Sequence, residues 1–201
     1  MKNYYHLNIN TDNAIKVNLY DLLATKQDAS NLPAYEGSMT AIPCPIDELF
    51  NSEWIAYVEN ILELKMYNLG WTFYRNGKAT NSTAHVDISS YSVPPIVCNY
   101  AFNFVVTPEN DQSEMIWYSD SWDINDMSTC FNRPISELTE LERGTLRNDK
   151  LSIINSGVLH DVDTKGAERW AVSFRDIRSW DSEYPFKKYE DQVNRLQSLI
   201  I

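Results

Sequence analysis

The feature that most constrains this chain is an alternation of period two that starts at Trp71 and recurs to Ile177. Short runs rich in β-branched and aromatic residues occupy Trp71–Arg75, Thr83–Ile88, Val97–Thr107, Glu114–Tyr118, Leu151–Ile154 and Trp170–Ile177. Polar stretches carrying glycine or proline separate them, a spacing that predicts strands. Asn76-Gly77 is a hairpin turn signal, and Pro94-Pro95 breaks the chain. Pro108 to Gln112 reads as the turn of one hairpin, and Asp163 to Glu168, with Gly166, as the turn of another.

Upstream, Tyr4–Ile9 reads as a strand, Ile15–Leu23 as a strand leading into a turn, and 28–45 as a loop. A helix is predicted from Ile46. Pro45 suits its start, and Asp47, Glu48 and Glu53 favour the positive end of its dipole. Leu49, Phe50, Trp54, Tyr57, Val58, Ile61 and Leu62 then form an apolar stripe at helical spacing. Ile135–Leu146 fits a short helix or a lid, and a last helix is predicted from Tyr184 or Pro185 onward. A chain of 201 residues is expected to be a single domain. Its parts are N-terminal strands, loop and supporting helix over 1–64, a β core over 65–178, and a C-terminal helix over 183–201. The expected fold is mainly β with flanking helices, a double-sheet barrel of which the jelly roll is the commonest form.

Charge narrows the function classes. The net charge of −11 argues against a phosphate-backbone binder and against anionic membrane surfaces. A basic pocket inside an acidic shell is compatible with it. Cys44, Cys98 and Cys130 show no paired spacing and read as small buried thiols of a reducing compartment. The N-terminus carries no signal-peptide apolar stretch and no run is long enough to span a bilayer, so a cytoplasmic protein is expected.

In a strand, alternate side chains share a face. His85 and Asp87 can therefore point into the same interior, with His160 arriving from a later strand. Two imidazoles and one carboxylate are the donors that hold Fe(II) on one face and leave other positions open. Those open positions have room for a bidentate 2-oxo acid and for O2. A 2-oxo acid with a distal carboxylate needs a cation in the pocket, and Arg169 offers a permanent charge and two-pronged donors. Arg169, Ala171, Ser173 and Arg175 share one face of their run; Trp170, Val172 and Phe174 share the other. Arg175 is the rival anchor. Asp161 and Asp163 read as solvated turn residues.

His85-x-Asp87, His160 and Arg169, in that order, resemble the 2-oxoglutarate and Fe(II)-dependent dioxygenase superfamily. Asn99-Tyr-Ala-Phe-Asn103-Phe-Val-Val followed by Glu114-Met-Ile-Trp-Tyr118 is similar to a strand pair of its small bacterial and phage-type members. Arg169-x5-Arg175 resembles the two-arginine strand of the AlkB-like branch, which has Asn where this chain has Ala171. The resemblance spans roughly residues 70 to 178.

The resemblance implies a double-stranded β-helix (a jelly roll, cupin-like) with His85, Asp87 and His160 as iron ligands. It implies Arg169 on the C5 carboxylate of 2-oxoglutarate, with Ser173, Asn103 or Tyr118 as helpers. Arg175 would serve the other carboxylate or the substrate. The implied cofactors are Fe(II), 2-oxoglutarate and O2. The implied reaction hydroxylates, or demethylates by hydroxylation, a small molecule or a protein side chain. A cupin-like metal protein without 2-oxoglutarate shares the barrel and metal and lacks the Arg169 anchor. A non-catalytic β-sandwich binder would need neither. Oligomeric state is not legible from the residues.

Overall fold

A computed structural model of the chain describes residues 1–30, 39–75, 83–89, 96–106, 112–131 and 133–201. The N-terminal part holds β1 (Tyr4–Asn10), α1 (Leu19–Ser30), β2 (Met39–Pro45), α2 (Ile46–Leu49) and α3 (Ser52–Ile61). Then follow β3 (Leu69–Arg75), β4 (Thr83–Ala84), β5 (Ile88–Ser89), β6 (Ile96–Val97), β7 (Ala101–Val105) and β8 (Glu114–Tyr118). The last part holds α4 (Met127–Cys130), β9 (Arg133–Pro134), β10 (Glu140–Gly144), β11 (Lys150–Ile154), β12 (His160–Asp163), β13 (Arg169–Phe174) and α5 (Tyr189–Arg195).

The fold is mainly β, with antiparallel pairing between the named strands. A six-stranded sheet runs β1-β11-β7-β13-β3-β2 and a three-stranded sheet runs β10-β8-β12. Alternation sorts the large sheet's side chains. Phe102, Phe104, Trp170, Val172 and Phe174 pack in the main core with Leu49, Phe50, Trp54 and Val58 of the helical segment. The opposite face meets the small sheet: Ala101, Val105 and Ile154 cluster with Met115, Trp117 and Val162. The candidate site lies on this inter-sheet side.

Several expectations are corrected. Ile15–Leu23 is not a strand; α1 begins at Leu19, and the Asn18 side-chain oxygen accepts from the Tyr20 backbone N–H at 3.0 Å. That is an N-cap interaction, and Leu19 and Leu23, one turn apart, are buried. Part of the expected loop is β2, which tolerates Pro43 because it forms the sheet's edge. The helix expected from Ile46 is broken at Phe50 and Asn51, where Phe50 bridges to Ile15. Ile135–Leu146 is a 3-10 turn followed by β10, which pairs with β8. The last α-helix starts only at Tyr189.

The larger correction concerns connectivity. β7 and β8 do not form a hairpin, nor do β12 and β13. In each case the first strand and the second belong to different sheets. Arg169 is thus carried across to the large sheet, next to β3 and β7, and does not return beside the strand of His160. Gly166 in the connection has φ +84°, a conformation that glycine adopts freely. The turn at Asn76-Gly77, the break at Pro94-Pro95, most of the 108–112 turn and part of the 28–45 loop lie outside the described residues. Among the described residues, no helix is long and apolar enough to cross a membrane.

Candidate metal centre

Residues 85–87 are held extended by backbone bonds to three separate segments. His85 and His160 exchange a pair, N–H to carbonyl at 2.9 and 2.8 Å. The Val86 N–H donates to the Cys130 carbonyl and the Asp87 N–H to the Ser156 carbonyl, each at 2.9 Å. The Val86 side chain joins the apolar cluster of Ala84, Ile116, Tyr118 and Leu159. Its neighbours His85 and Asp87 project the other way, as period-two alternation requires. The bend before β12 is pinned as well. Trp117 Nε1 donates to the Asn155 carbonyl at 2.9 Å, and Trp122 Nε1 to the Gly157 carbonyl at 3.1 Å. A Cβ on Gly157 would stand 3.2 Å from the Asn99 Cα, so the close approach there favours glycine.

The three donors converge. His85 Nε2 lies 3.6 Å and His160 Nε2 3.8 Å from the same Asp87 oxygen, Oδ1. The imidazole centroids are 4.5 Å apart, and one ligand atom from each residue fits within a 4.8 Å spread. The His160 Nδ1 lies 2.8 Å from the Val158 carbonyl. A carbonyl only accepts, so Nδ1 carries a proton there and Nε2 is the nitrogen that faces Asp87. Arg175 donates to the other Asp87 oxygen, Oδ2, and to the Ser173 hydroxyl. Arg175 thereby orients the carboxylate and leaves Oδ1 to the imidazoles, the kind of outer support that metal ligands need.

Burial and charge set the protonation states. Burial works against the Asp87 carboxylate, but the Arg175 guanidinium, then His160 and His85, outweigh it and hold its pKa below the ordinary value. His85 is lowered to about 4, first by burial and next by the neighbouring His160. Unfolded, it titrates near 6.5. The contribution to stability is therefore full above pH 6.5 and falls as the pH drops toward 4, because the unfolded chain takes up a proton that the folded chain refuses. At about 1.4 kcal/mol per pKa unit, His85 accounts for a loss of about 3 kcal/mol near pH 4. Urea unfolding of metal-free protein at several pH values measures this. His85→Gln should have a shallower acid slope than the wild type, and equal slopes would refute the assignment.

Among the other predicted residues, Arg175 and Ser173 join this group directly. Asn103 stands opposite Ser173 on the neighbouring strand, and its Oδ1 is buried without a hydrogen-bond partner among the described residues. Arg169 is buried at the far end of β13, and its Nε donates to the Ser113 hydroxyl at 2.9 Å. Tyr118 is not brought to the site. It packs with Ile116 in the cluster on the other face of β8, while Trp117 faces inward. Sequence reasoning missed Arg75 and misread Asp161. Asp161 is 3% exposed and pairs with Arg75 at 3.5 Å, so it is no solvated turn residue. A charged residue closing a buried-type strand was the available signal for Arg75.

No protein-family model matches the chain, and no curated relative matches it. It is similar to the solved structure of SnoK, a non-haem α-ketoglutarate-dependent carbocyclase of nogalamycin biosynthesis. The identity is 10%, the TM-score 0.42, and the match covers 87% of this chain and 80% of that one. It is similar to HygX of Streptomyces hygroscopicus with nickel, 2-oxoglutarate and hygromycin B bound, at 10% identity and TM-score 0.36, over 82% and 83%. It is also similar to a prolyl-4-hydroxylase of Pseudomonas putida, at 15% identity and TM-score 0.39, over 79% and 84%. At such identities and TM-scores the weight falls on the site's own geometry.

Proposed function

We propose that this protein is an Fe(II)- and 2-oxoglutarate-dependent oxygenase built on a double-stranded β-helix, with His85, Asp87 and His160 as the iron ligands. The observation that carries this reading is the convergence of two imidazole nitrogens on a single carboxylate oxygen whose partner oxygen is already taken by Arg175. The donor set fits the metal. Neutral imidazole and carboxylate suit Fe(II), and three protein ligands leave positions open. With 2-oxoglutarate and O2, bound Fe(II) supplies the oxidising chemistry, yielding succinate and CO2 while a substrate C–H bond is hydroxylated or a methyl group is lost through hydroxylation.

The chain's own residues position and exclude. The Val158 carbonyl fixes the His160 ring, and Arg175 fixes Asp87. Arg169, buried at the other end of β13 from Arg175, is the cation assigned to the distal carboxylate of 2-oxoglutarate. Asn103 and Ser173 line the strand face between the two. Ala101, Val105, Met115 and Val162 keep the inter-sheet space apolar, which strengthens each polar contact made there. The acidic exterior, with a net charge of −11, favours a cationic or neutral substrate, either a small molecule or a protein side chain.

Succinate formation coupled to 2-oxoglutarate loss tests the reaction class and separates it from a cupin-like metalloprotein without 2-oxoglutarate. Substitution tests the anchor. Arg169→Gln should weaken 2-oxoglutarate binding to Ni(II)-loaded protein about 10- to 100-fold, the worth of a lost charge-assisted bond. Calorimetry reads the change, and unaltered affinity removes Arg169 from the role.

A further inference from the structure

Arg75 is a buried cation outside the metal group. It ends β3 and stands directly opposite Arg169 of β13, so the two side chains leave the same face of neighbouring strands. Both are buried, at 8% and 5% exposure. Arg75 bonds closely to a backbone carbonyl and only loosely to a carboxylate. Nη1 donates to the Val162 carbonyl. Nη1 and Nη2 both reach one Asp161 oxygen at 3.5 Å, where a closed guanidinium–carboxylate pair is at about 2.8 Å. Its Nε has no hydrogen-bond partner among the described residues.

A guanidinium presents five N–H donors, and a buried donor without an acceptor is costly. An anion placed beside Arg169 and Arg75 supplies the acceptor that the Arg75 Nε lacks among the described residues. Its contacts with Asp161 and the Val162 carbonyl set the Arg75 side chain against β12, the strand that opens with His160.

We infer that Arg75 is a second arm of the co-substrate site, gripping with Arg169 the distal carboxylate of 2-oxoglutarate. This rests on the reading above that 2-oxoglutarate is the co-substrate and Arg169 its anchor. Asp161 then acts as a loose counter-ion that holds the Arg75 side chain in place without closing on it. The competing account makes Arg75 and Asp161 a purely structural tie between β3 and β12.

Calorimetry on the Ni(II)-loaded protein separates the two. The ligands are 2-oxoglutarate and 2-oxopentanoate, which keeps the 2-oxo acid end and the chain length and lacks the distal carboxylate. Arg75→Gln is expected to weaken 2-oxoglutarate about 10- to 100-fold and to leave 2-oxopentanoate unchanged. Asp161→Asn breaks the structural tie and spares the cation, and it should bind 2-oxoglutarate at least as well as the wild type. If Arg75→Gln does not fold, Arg75→Lys carries the comparison, since a lysine lacks the two-pronged reach and should weaken only the dicarboxylate. Equal weakening of both ligands, the same loss in Asp161→Asn, or unchanged 2-oxoglutarate affinity in the Arg75 variants overturns the assignment. Wild-type protein that binds no 2-oxoglutarate overturns the oxygenase reading and this one together. Wild-type binding that survives every Arg75 variant overturns this one alone.

Discussion

Asp87→Ala is expected to lower Fe(II) affinity by at least about 100-fold, since loss of an outer-shell support alone costs up to that much. Both imidazole nitrogens face Oδ1 of this residue, at 3.6 and 3.8 Å, so its removal takes away the charge around which the site is organised. A second effect follows from Arg175, which is left buried with its carboxylate partner gone. Breaking one side of such a pair costs about 3 kcal/mol or more, so the metal-free variant should also unfold at lower denaturant. Asp87→Asn keeps the shape, loses the charge, and should recover packing without recovering iron. Tyr118→Phe is the control: it changes a residue on the opposite face of β8 and should leave metal affinity unchanged. Anaerobic competition titrations measure all three. Iron affinity retained in Asp87→Ala would exclude the carboxylate as a ligand.

Phe50→Ala should destabilise the protein by about 3–5 kcal/mol, the range for deleting a fully buried aromatic ring. Phe50 is 0% exposed and stacks on Trp54 with centroids 4.9 Å apart. Its ring also meets Phe104 and Phe174, at 6.2 and 5.9 Å. Phe104 and Phe174 belong to β7 and β13, the strands that present Asn103 and Ser173 on their other face. The helical segment therefore backs the sheet that carries the site. A cavity at Phe50 should lower the urea midpoint and loosen that sheet while leaving the ligand set intact. A midpoint within error of the wild type would contradict this account of the core.

The sequence made some of this legible and concealed the rest for definite reasons. Period-two patterning placed the strands at Trp71–Arg75, Glu114–Tyr118 and Leu151–Ile154 because alternation is a local property of the backbone. The same rule put His85 and Asp87 on one side, where the structure has them. It could not say which side of a strand faces inward. In β8 that parity decides between Trp117 and Tyr118, and Tyr118 faces away from the site. Connectivity was hidden too, since a polar turn looks the same whether it closes a hairpin or carries the chain to the other sheet. The pairing of Arg75 with Asp161 spans 86 positions, and a lone arginine at a strand end shows no local sign of such a partner. Asn18 shows a missed local signal: a capping residue before Leu19 was present in a stretch read as a strand.

Anaerobic addition of Fe(II) and then 2-oxoglutarate, followed by visible absorption, tests the central claim most directly. The account predicts a weak, broad charge-transfer band in the visible region from the iron held by this ligand set. It should appear only when both are present and be missing from Asp87→Ala. Wild-type protein that binds neither Fe(II) nor 2-oxoglutarate and develops no band would contradict it.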